Sequence, residues 1–275
     1  VAVQGRVVFT AKGTELVVLD VSDRANPREI SRLPMTDQIR DIVVRGDIAF
    51  VSVRAAGFYT VDVSDTSSPR IMGRVTFEDR AEDLALAGSY AYVAARTAGL
   101  QIIDVSDPTN LQVVGSIQTE EQAIDVAVSG RYAHVASSYG GHRIIDISNP
   151  KKPREIGSAQ RGSYDQGFSW GIAVDEPFVY VANVEIGLRR VDVSEIDPSS
   201  DQNKVPTVEL IQSVYRPADI TVAGDYAYLA DQGAGLRLFY AANPDTLFEV
   251  GICWATTMTT PASTSRLLSS WSLPS

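Results

Sequence analysis

Histidine and cysteine are nearly missing from this chain of 275 residues, which holds two of the first and one of the second. The single thiol, Cys253, cannot form an internal disulfide, so no disulfide framework holds the fold. Chemistry that needs an imidazole has only His134 and His142 to draw on. Positive charge is also short: 24 Lys and Arg face 34 Asp and Glu, for a net charge of −10. The longest cationic cluster, NPKKPRE at 149–155, is brief and sits beside a turn, so the footprint of a nucleic-acid binder is missing. No apolar run approaches the roughly 18 residues that a membrane-spanning helix requires. No stretch between residues 1 and 250 has helical period. There is no signal peptide, and Val1 already lies in a strand-like stretch, so the natural start is expected to lie outside this sequence.

What the chain does have is repetition. ELVVLDVSDR (15–24), GFYTVDVSDT (57–66), GLQIIDVSDP (99–108) and GHRIIDISNP (141–150) are one phrase, followed by GLRRVDVSEI (187–196) and GLRLFYAANP (235–244). A second phrase travels with it: DIVVRGDIAFVS (41–52), DLALAGSYAYVA (83–94), DVAVSGRYAHVA (125–136) and DITVAGDYAYLA (219–230), with VAVQGRVVFT (1–10) and GIAVDEPFVYVA (171–182) as divergent copies. Six copies of a unit of about 42 to 48 residues predict a solenoid or a propeller. Strand chemistry chooses between them. DVAV and YAHVA alternate around a turn glycine, and RIIDIS is a β-branched run suited to a strand covered on both faces. The SDP and SNP segments are turn formers, and REIGS and QVVGS supply a fourth strand. Four antiparallel strands per unit without a helix make a propeller blade.

The expected fold is therefore all-β, a β-propeller of six four-stranded antiparallel blades over residues 1–251. The first and last blades are expected to meet without a shared strand. LVVLD (16–20), LQIID (100–104) and RIIDI (143–147), each before a Ser-Asp or Ser-Asn turn, resemble the LVIVD-repeat family. The resemblance covers nearly the whole chain. It implies a β-propeller of an exported or surface protein, and it implies little about activity. Residues 252–275 carry no repeat phrase, no Asp and no Glu. Two expectations stand for them: a disordered tail, or a frame-shifted remnant of a longer propeller. The codons from Cys253 onward, read two bases later, permit a lead-in resembling another DVAV strand.

In a propeller, the loops leading into the innermost strand and those joining the second and third strands share one face, around the mouth of the central channel. Positions that break the repeat there are the candidates for function. Asp41, Asp83, Asp125 and Asp219 recur at the start of the inner strand. They could ring a Ca²⁺ or Mg²⁺ ion in the channel, since hard cations favour carboxylates. They could equally accept backbone N–H bonds as part of the scaffold. The long segment at 158–171 replaces the usual Asp with Gly171 and brings Tyr164, Asp165, Phe168 and Trp170 to the same face. It contains GFSWG (167–171), a G-x-S-x-G match, so Ser169 is a candidate nucleophile with His142 as base and Asp165 or Asp125 as its orienting carboxylate. His142 otherwise reads as a loop residue, and His134 as a residue packed between blades. Arg54 and Arg96 could grip a carboxylate or sulfate. Asn183, Glu185, Asp231 and Gln232 belong to loops of the same face.

Three functions follow. The first is a binding module presenting this face to a protein, peptide or glycan, with no nucleic-acid partner and no membrane span. The second is an esterase-like hydrolase using Ser169. The third is a metal-dependent enzyme using the Asp ring. The family resemblance implies an extracellular or surface location.

Overall fold

The structure is a computed structural model, and it describes residues 1–159, 168–184, 187–200, 203–204, 207–211, 216–243 and 246–253. Tyr164, Asp165 and Glu185 lie outside the described residues, as does everything after Cys253. Six antiparallel sheets form a ring about one axis, and no helix occurs among the described residues. Blade 1 is β1 (Ala2–Gln4), β2 (Val7–Lys12), β3 (Glu15–Asp20) and β4 (Arg28–Pro34). Blade 2 is β5 (Ile39–Arg45), β6 (Ile48–Val53), β7 (Gly57–Asp62) and β8 (Arg70–Val75). Blade 3 is β9 (Asp83–Ala87), β10 (Tyr90–Ala94), β11 (Leu100–Asp104) and β12 (Gln112–Ile117). Blade 4 is β13 (Asp125–Ser129), β14 (Tyr132–Ser137), β15 (Gly141–Asp146) and β16 (Arg154–Ala159). Blade 5 is β17 (Ser169–Asp175), β18 (Phe178–Asn183), β19 (Gly187–Asp192) and β21 (Thr207–Ile211). The short β20 (Asn203–Lys204) leaves blade 5 and pairs in parallel with β16, adding a fifth strand to the edge of blade 4. Blade 6 is β22 (Pro217–Ala223), β23 (Tyr226–Asp231), β24 (Gly235–Tyr240) and β25 (Phe248–Cys253). Each of the six takes its four main strands from one continuous stretch, so blades 1 and 6 share no strand. The last strand runs through Cys253, two residues past the boundary expected from the repeat.

The repeated phrase has a local cause. In each D-V-S turn the aspartate caps the serine two residues on: Ser64 donates to Asp62 from its N–H at 3.0 Å and from its hydroxyl at 2.6 Å. Asp20, Asp104, Asp146 and Asp192 do the same for the N–H of Ser22, Ser106, Ser148 and Ser194. A second turn follows at once, as Asp65 accepts from Ser67 and Asp107 from Thr109. These side chains satisfy backbone donors that the sharp reversal takes out of the sheet. Gly46, Gly88, Gly130 and Gly224 hold φ between 55° and 60° in the turns joining first and second strands, a region where a Cβ is disfavoured. Every blade also has a register shift between its third and fourth strands at one position, between Thr60 and Val61 in blade 2 and between Ile102 and Ile103 in blade 3. This bulge turns the outer strand and increases blade twist.

Successive blades stack through apolar clusters. Phe9, Leu16 and Val18 of blade 1 meet Val51, Tyr59 and Val61 of blade 2. Leu100 and Ile102 of blade 3 meet Val135 and Ile145 of blade 4, and Leu188 of blade 5 meets Leu229 and Phe239 of blade 6. Residues alternate between the two faces of each strand, so one strand feeds two such interfaces. Backbone latches join the top turns of one blade to the lead-in of the next: Ala81 N–H donates to Arg54 C=O, Arg96 and Ala123 exchange a pair of bonds, and Ser169 N–H donates to Ser138 C=O.

Candidate functional site

The latches gather the irregular segments at one end of the channel, around a cavity of about 380 Å³. Its lining has two layers. The fixed layer is Asp41, Asp83, Asp125 and Asp219, so the recurring carboxylates do converge. The variable layer is the residue before each, Arg40, Glu82, Ile124 and Ala218, with Trp170 before Gly171 in blade 5. In blades 2, 5 and 6 the pairing of first and second strands skips one residue, between Ile39 and Asp41, Ser169 and Gly171, and Pro217 and Asp219. The skipped residues are Arg40, Trp170 and Ala218, and the bulge turns each of them to the cavity.

The fixed layer stitches the inner strands together. Asp125 accepts the N–H of Val126 at 2.7 Å on Oδ1 and, across the blade boundary, the N–H of Ile172 at 2.8 Å on Oδ2. Asp83 reaches across in the same way to Val126 N–H at 3.3 Å, and Asp219 accepts from Ile220 at 2.8 Å. Burial pushes the Asp125 carboxyl above its ordinary range, and the nearby charge of Asp41 adds to this. Among the described residues no three His, Cys, Asp or Glu side chains are grouped to hold a metal ion. Gly171 breaks the series for a steric reason: a Cβ there would lie 2.9 Å from the Cα of Asp219, because the inner strands of blades 5 and 6 run too close for a side chain.

Arg54 and Arg96 both bond side chains of this chain. Arg96 donates its Nε to the buried Glu82 and its Nη1 to Gln122 at 3.1 Å. Arg40 donates to the other Glu82 oxygen at 2.7 Å, so Glu82 holds two guanidinium groups. Arg54 bonds Gln38 at 3.4 Å. Asp231 is buried, caps Gly233 N–H at 3.0 Å and faces Arg237 at 3.4 Å, so it serves its own turn.

Ser169 opens β17 of blade 5, and His142 lies on β15 of blade 4. Ser169 is 1% exposed, its N–H held by Ser138 and its hydroxyl within 3.5 Å of the buried Asn183 amide. His142 is not a loop residue: it is buried on β15, and its Nε2 lies 3.0 Å from Nδ1 of His134. His134 is fully buried on β14, two residues before Ala136, which clusters with Ile172 and Val179 of blade 5. Burial pushes His134 down to about 4 and His142 well below its ordinary value. Both rings are therefore neutral, and the His142 Nε2 is turned to His134 rather than to Ser169. Asp165, the third expected member, lies outside the described residues, as does Tyr164.

An aromatic run crosses the rim at blades 4 and 5. Tyr139 meets Phe168 edge-on with centroids 5.2 Å apart, and Phe168 meets Trp170 at 5.1 Å. Trp170 carries this run from the rim into the cavity lining. Tyr139 was missed from sequence, though SYGG (138–141) departs from the equivalent turns RAAG (54–57), RTAG (96–99) and QGAG (232–235) in placing an aromatic there.

A family model described as LVIVD repeat matches residues 1–33, 38–76, 79–119, 121–160, 166–202 and 217–253. No curated protein matches the chain. Among solved structures, the RRP9 WD40 repeats superpose with a TM-score of 0.72 at 11% identity, covering 90% of this chain and 77% of that one. The Neurospora crassa Pan2 WD40 domain gives 0.65 at 12%, covering 93% and 77%. A chain of a Mitotic Checkpoint Complex gives 0.68 at 10%, covering 94% and 76%. At these identities the likeness is one of fold. Six matched repeats, one per blade, establish that this chain belongs to the LVIVD-repeat family.

Proposed function

We propose that the chain is a binding module that engages a protein or peptide at the rim of its channel mouth, and that the partner places a cationic side chain in the cavity. The observation that carries this reading is the pairing of Trp170 with an acidic lining in one open cavity. A half-buried indole beside carboxylates suits an ammonium or guanidinium group, through its ring face and through charge. Tyr139 and Phe168 extend an apolar strip outward from that point, and aromatic residues of this kind anchor interfaces. Glu82 is already paired with Arg40 and Arg96, so the attraction falls to the aspartates of the lining other than Asp125. One similar propeller comes from a Mitotic Checkpoint Complex, an assembly, which agrees with a scaffold role.

The test is a peptide array with Lys or Arg at the centre, matched peptides with Glu there, and a glycan array alongside. Cationic peptides should bind, more weakly as salt rises. Trp170→Ala should weaken them about tenfold, and Ala218→Lys should block them with the circular dichroism spectrum unchanged. Binding by glycans alone, or peptide binding indifferent to both variants, refutes the reading.

A further inference from the structure

We infer that the seam between blades 6 and 1 is a socket for a seventh blade of the same repeat. The argument starts from the outer strands. Ser31, Gly73, Gly115, Gly157 and Gly251 occupy one register position, opposite Val18, Thr60, Ile102, Ile144 and Leu238. In blades 2 and 3 the glycine receives the turn of the following blade. A Cβ on Gly73 would lie 2.6 Å from the carbonyl oxygen of Pro108, and one on Gly115 would overlap that of Pro150. In blade 1 the hydroxyl of Ser31 donates to the equivalent carbonyl, Thr66, at 2.6 Å. Blade 6 keeps the glycine, yet among the described residues a Cβ on Gly251 meets nothing within 4 Å.

The side chains around it repeat the contrast. One residue before the glycine, Ile30 and Val114 pack against the next blade and Ile156 is fully buried, whereas Val250 is 46% exposed. Two residues after it, Leu33, Val75 and Ile117 pack inward, whereas Cys253 is exposed. The opposite wall is covered only in part, with Val17 of β3 buried at 4% exposure. Ala49, Val61 and Val63 of blade 2 are at most 4% exposed beneath blade 1. Their counterparts in blade 1, Val8, Leu19 and Val21, are only partly buried. No apolar cluster joins blades 6 and 1 among the described residues, while one joins each of the other five neighbouring pairs.

The occupant must match both walls. It must bring a Ser-Asp turn whose carbonyl seats on Gly251 and two apolar sheet faces, which is the chemistry of one more LVIVD blade and continues the five interfaces already built. We commit to a repeat joined in sequence after β25, where β8 and β12 lead on into the next blade. The absence of the repeat phrase from 252–275 leaves that place in the sequence without one.

The experiment replaces residues 254–275 with a second copy of residues 76–117, which follow β8 in the same relation. The extended chain should stay monomeric by light scattering in reducing buffer, melt several degrees higher, and exchange the β25 amides at least tenfold more slowly. Gly251→Val should abolish that gain in the extended chain, and should leave the melting temperature of the original chain unchanged. Gly115→Val in the original chain is the occupied control and should lower it. An extended chain no more stable than the original overturns the proposal. So does an original chain in which Gly251→Val is as harmful as Gly115→Val, because the socket would then already be filled. An original chain that is dimeric, and that Val250→Lys turns monomeric, overturns it in favour of a second copy. If the extended chain does not fold, the two glycine variants of the original chain still decide whether the socket is open.

Discussion

Asp125 Oδ2 accepts the backbone N–H of Ile172 at 2.8 Å, tying the inner strand of blade 4 to that of blade 5. The same carboxylate accepts Val126 N–H, so one side chain closes two buried donors on two sheets. Asp125→Ala removes both acceptors. Leaving buried donors unpaired costs about 1–3 kcal/mol each, offset in part because a buried charge is also lost. A net loss of about 2 kcal/mol is expected, or roughly 4–8 °C in Tm. Thermal melts check the magnitude, and faster hydrogen exchange confined to β13 and β17 checks the location.

Gly73→Ala and Gly115→Ala should both destabilise, and Gly115→Ala more. The obstructing atom in each case is a backbone carbonyl of the next blade, which cannot rotate away as a side-chain tip can. Overpacking of this kind costs about 1–3 kcal/mol. Denaturant midpoints would measure it, and equal, negligible shifts at both positions would contradict the packing described.

The His134–His142 pair makes the fold acid-sensitive in a defined window. The folded His134 resists protonation down to about 4, against an ordinary value of 6.5, because burial penalises the charged ring. An unfolded chain protonates both rings near 6.5. Above that value neither state takes up a proton, and stability does not change on this account. Between 6.5 and 4 only the unfolded state does, so stability falls as pH falls, by about 3 kcal/mol for His134 alone. The sibling residues at these positions in blade 3 are Tyr92 and Leu100. His134→Tyr with His142→Leu should flatten the dependence of Tm on pH from 7.5 to 4.5.

The turn aspartates add a second, lower window. Hydrogen bonds from Ser64 hold Asp62 below the ordinary carboxylate value of 3.8, and those from Ser22 and Ser106 do the same for Asp20 and Asp104. Their contribution is present above 3.8 and is lost as pH falls through the depressed folded values. Ser64→Ala weakens the capping of Asp62, so NMR titration of the variant should show the Asp62 carboxyl moving back up toward 3.8.

A serine-reactive fluorophosphonate should leave Ser169 unlabelled. The hydroxyl is buried beside Asn183, and the nearest imidazole pair is neutral and turned to itself. Mass spectrometry of the peptide containing Ser169 decides this, and stoichiometric labelling would restore the hydrolase reading.

Much of the fold was legible in the residues because a propeller blade is a local object. Alternation, turn glycines and the D-V-S turn are fixed by neighbours two to ten positions away, and each recurs six times or nearly so. The ring of aspartates was legible for the same reason, and the bond from Ile172 to Asp125 across the blade boundary was not. Ser169 and His142 show the opposite case. Their sequence positions suggested one rim, but the strand face on which a side chain emerges depends on register, and that buried His142 against His134.

By itself the sequence determined the number of blades, their strand order and the composition of the channel mouth, since short-range hydrogen bonding and hydrophobic period dictate all three. Only the tertiary structure decided which carboxylates are spent on neighbouring blades, which residues the bulges at Arg40, Trp170 and Ala218 turn to the cavity, and that Gly251 faces no neighbour among the described residues. Those depend on how close separate sheets approach, a distance that no single stretch of chain encodes.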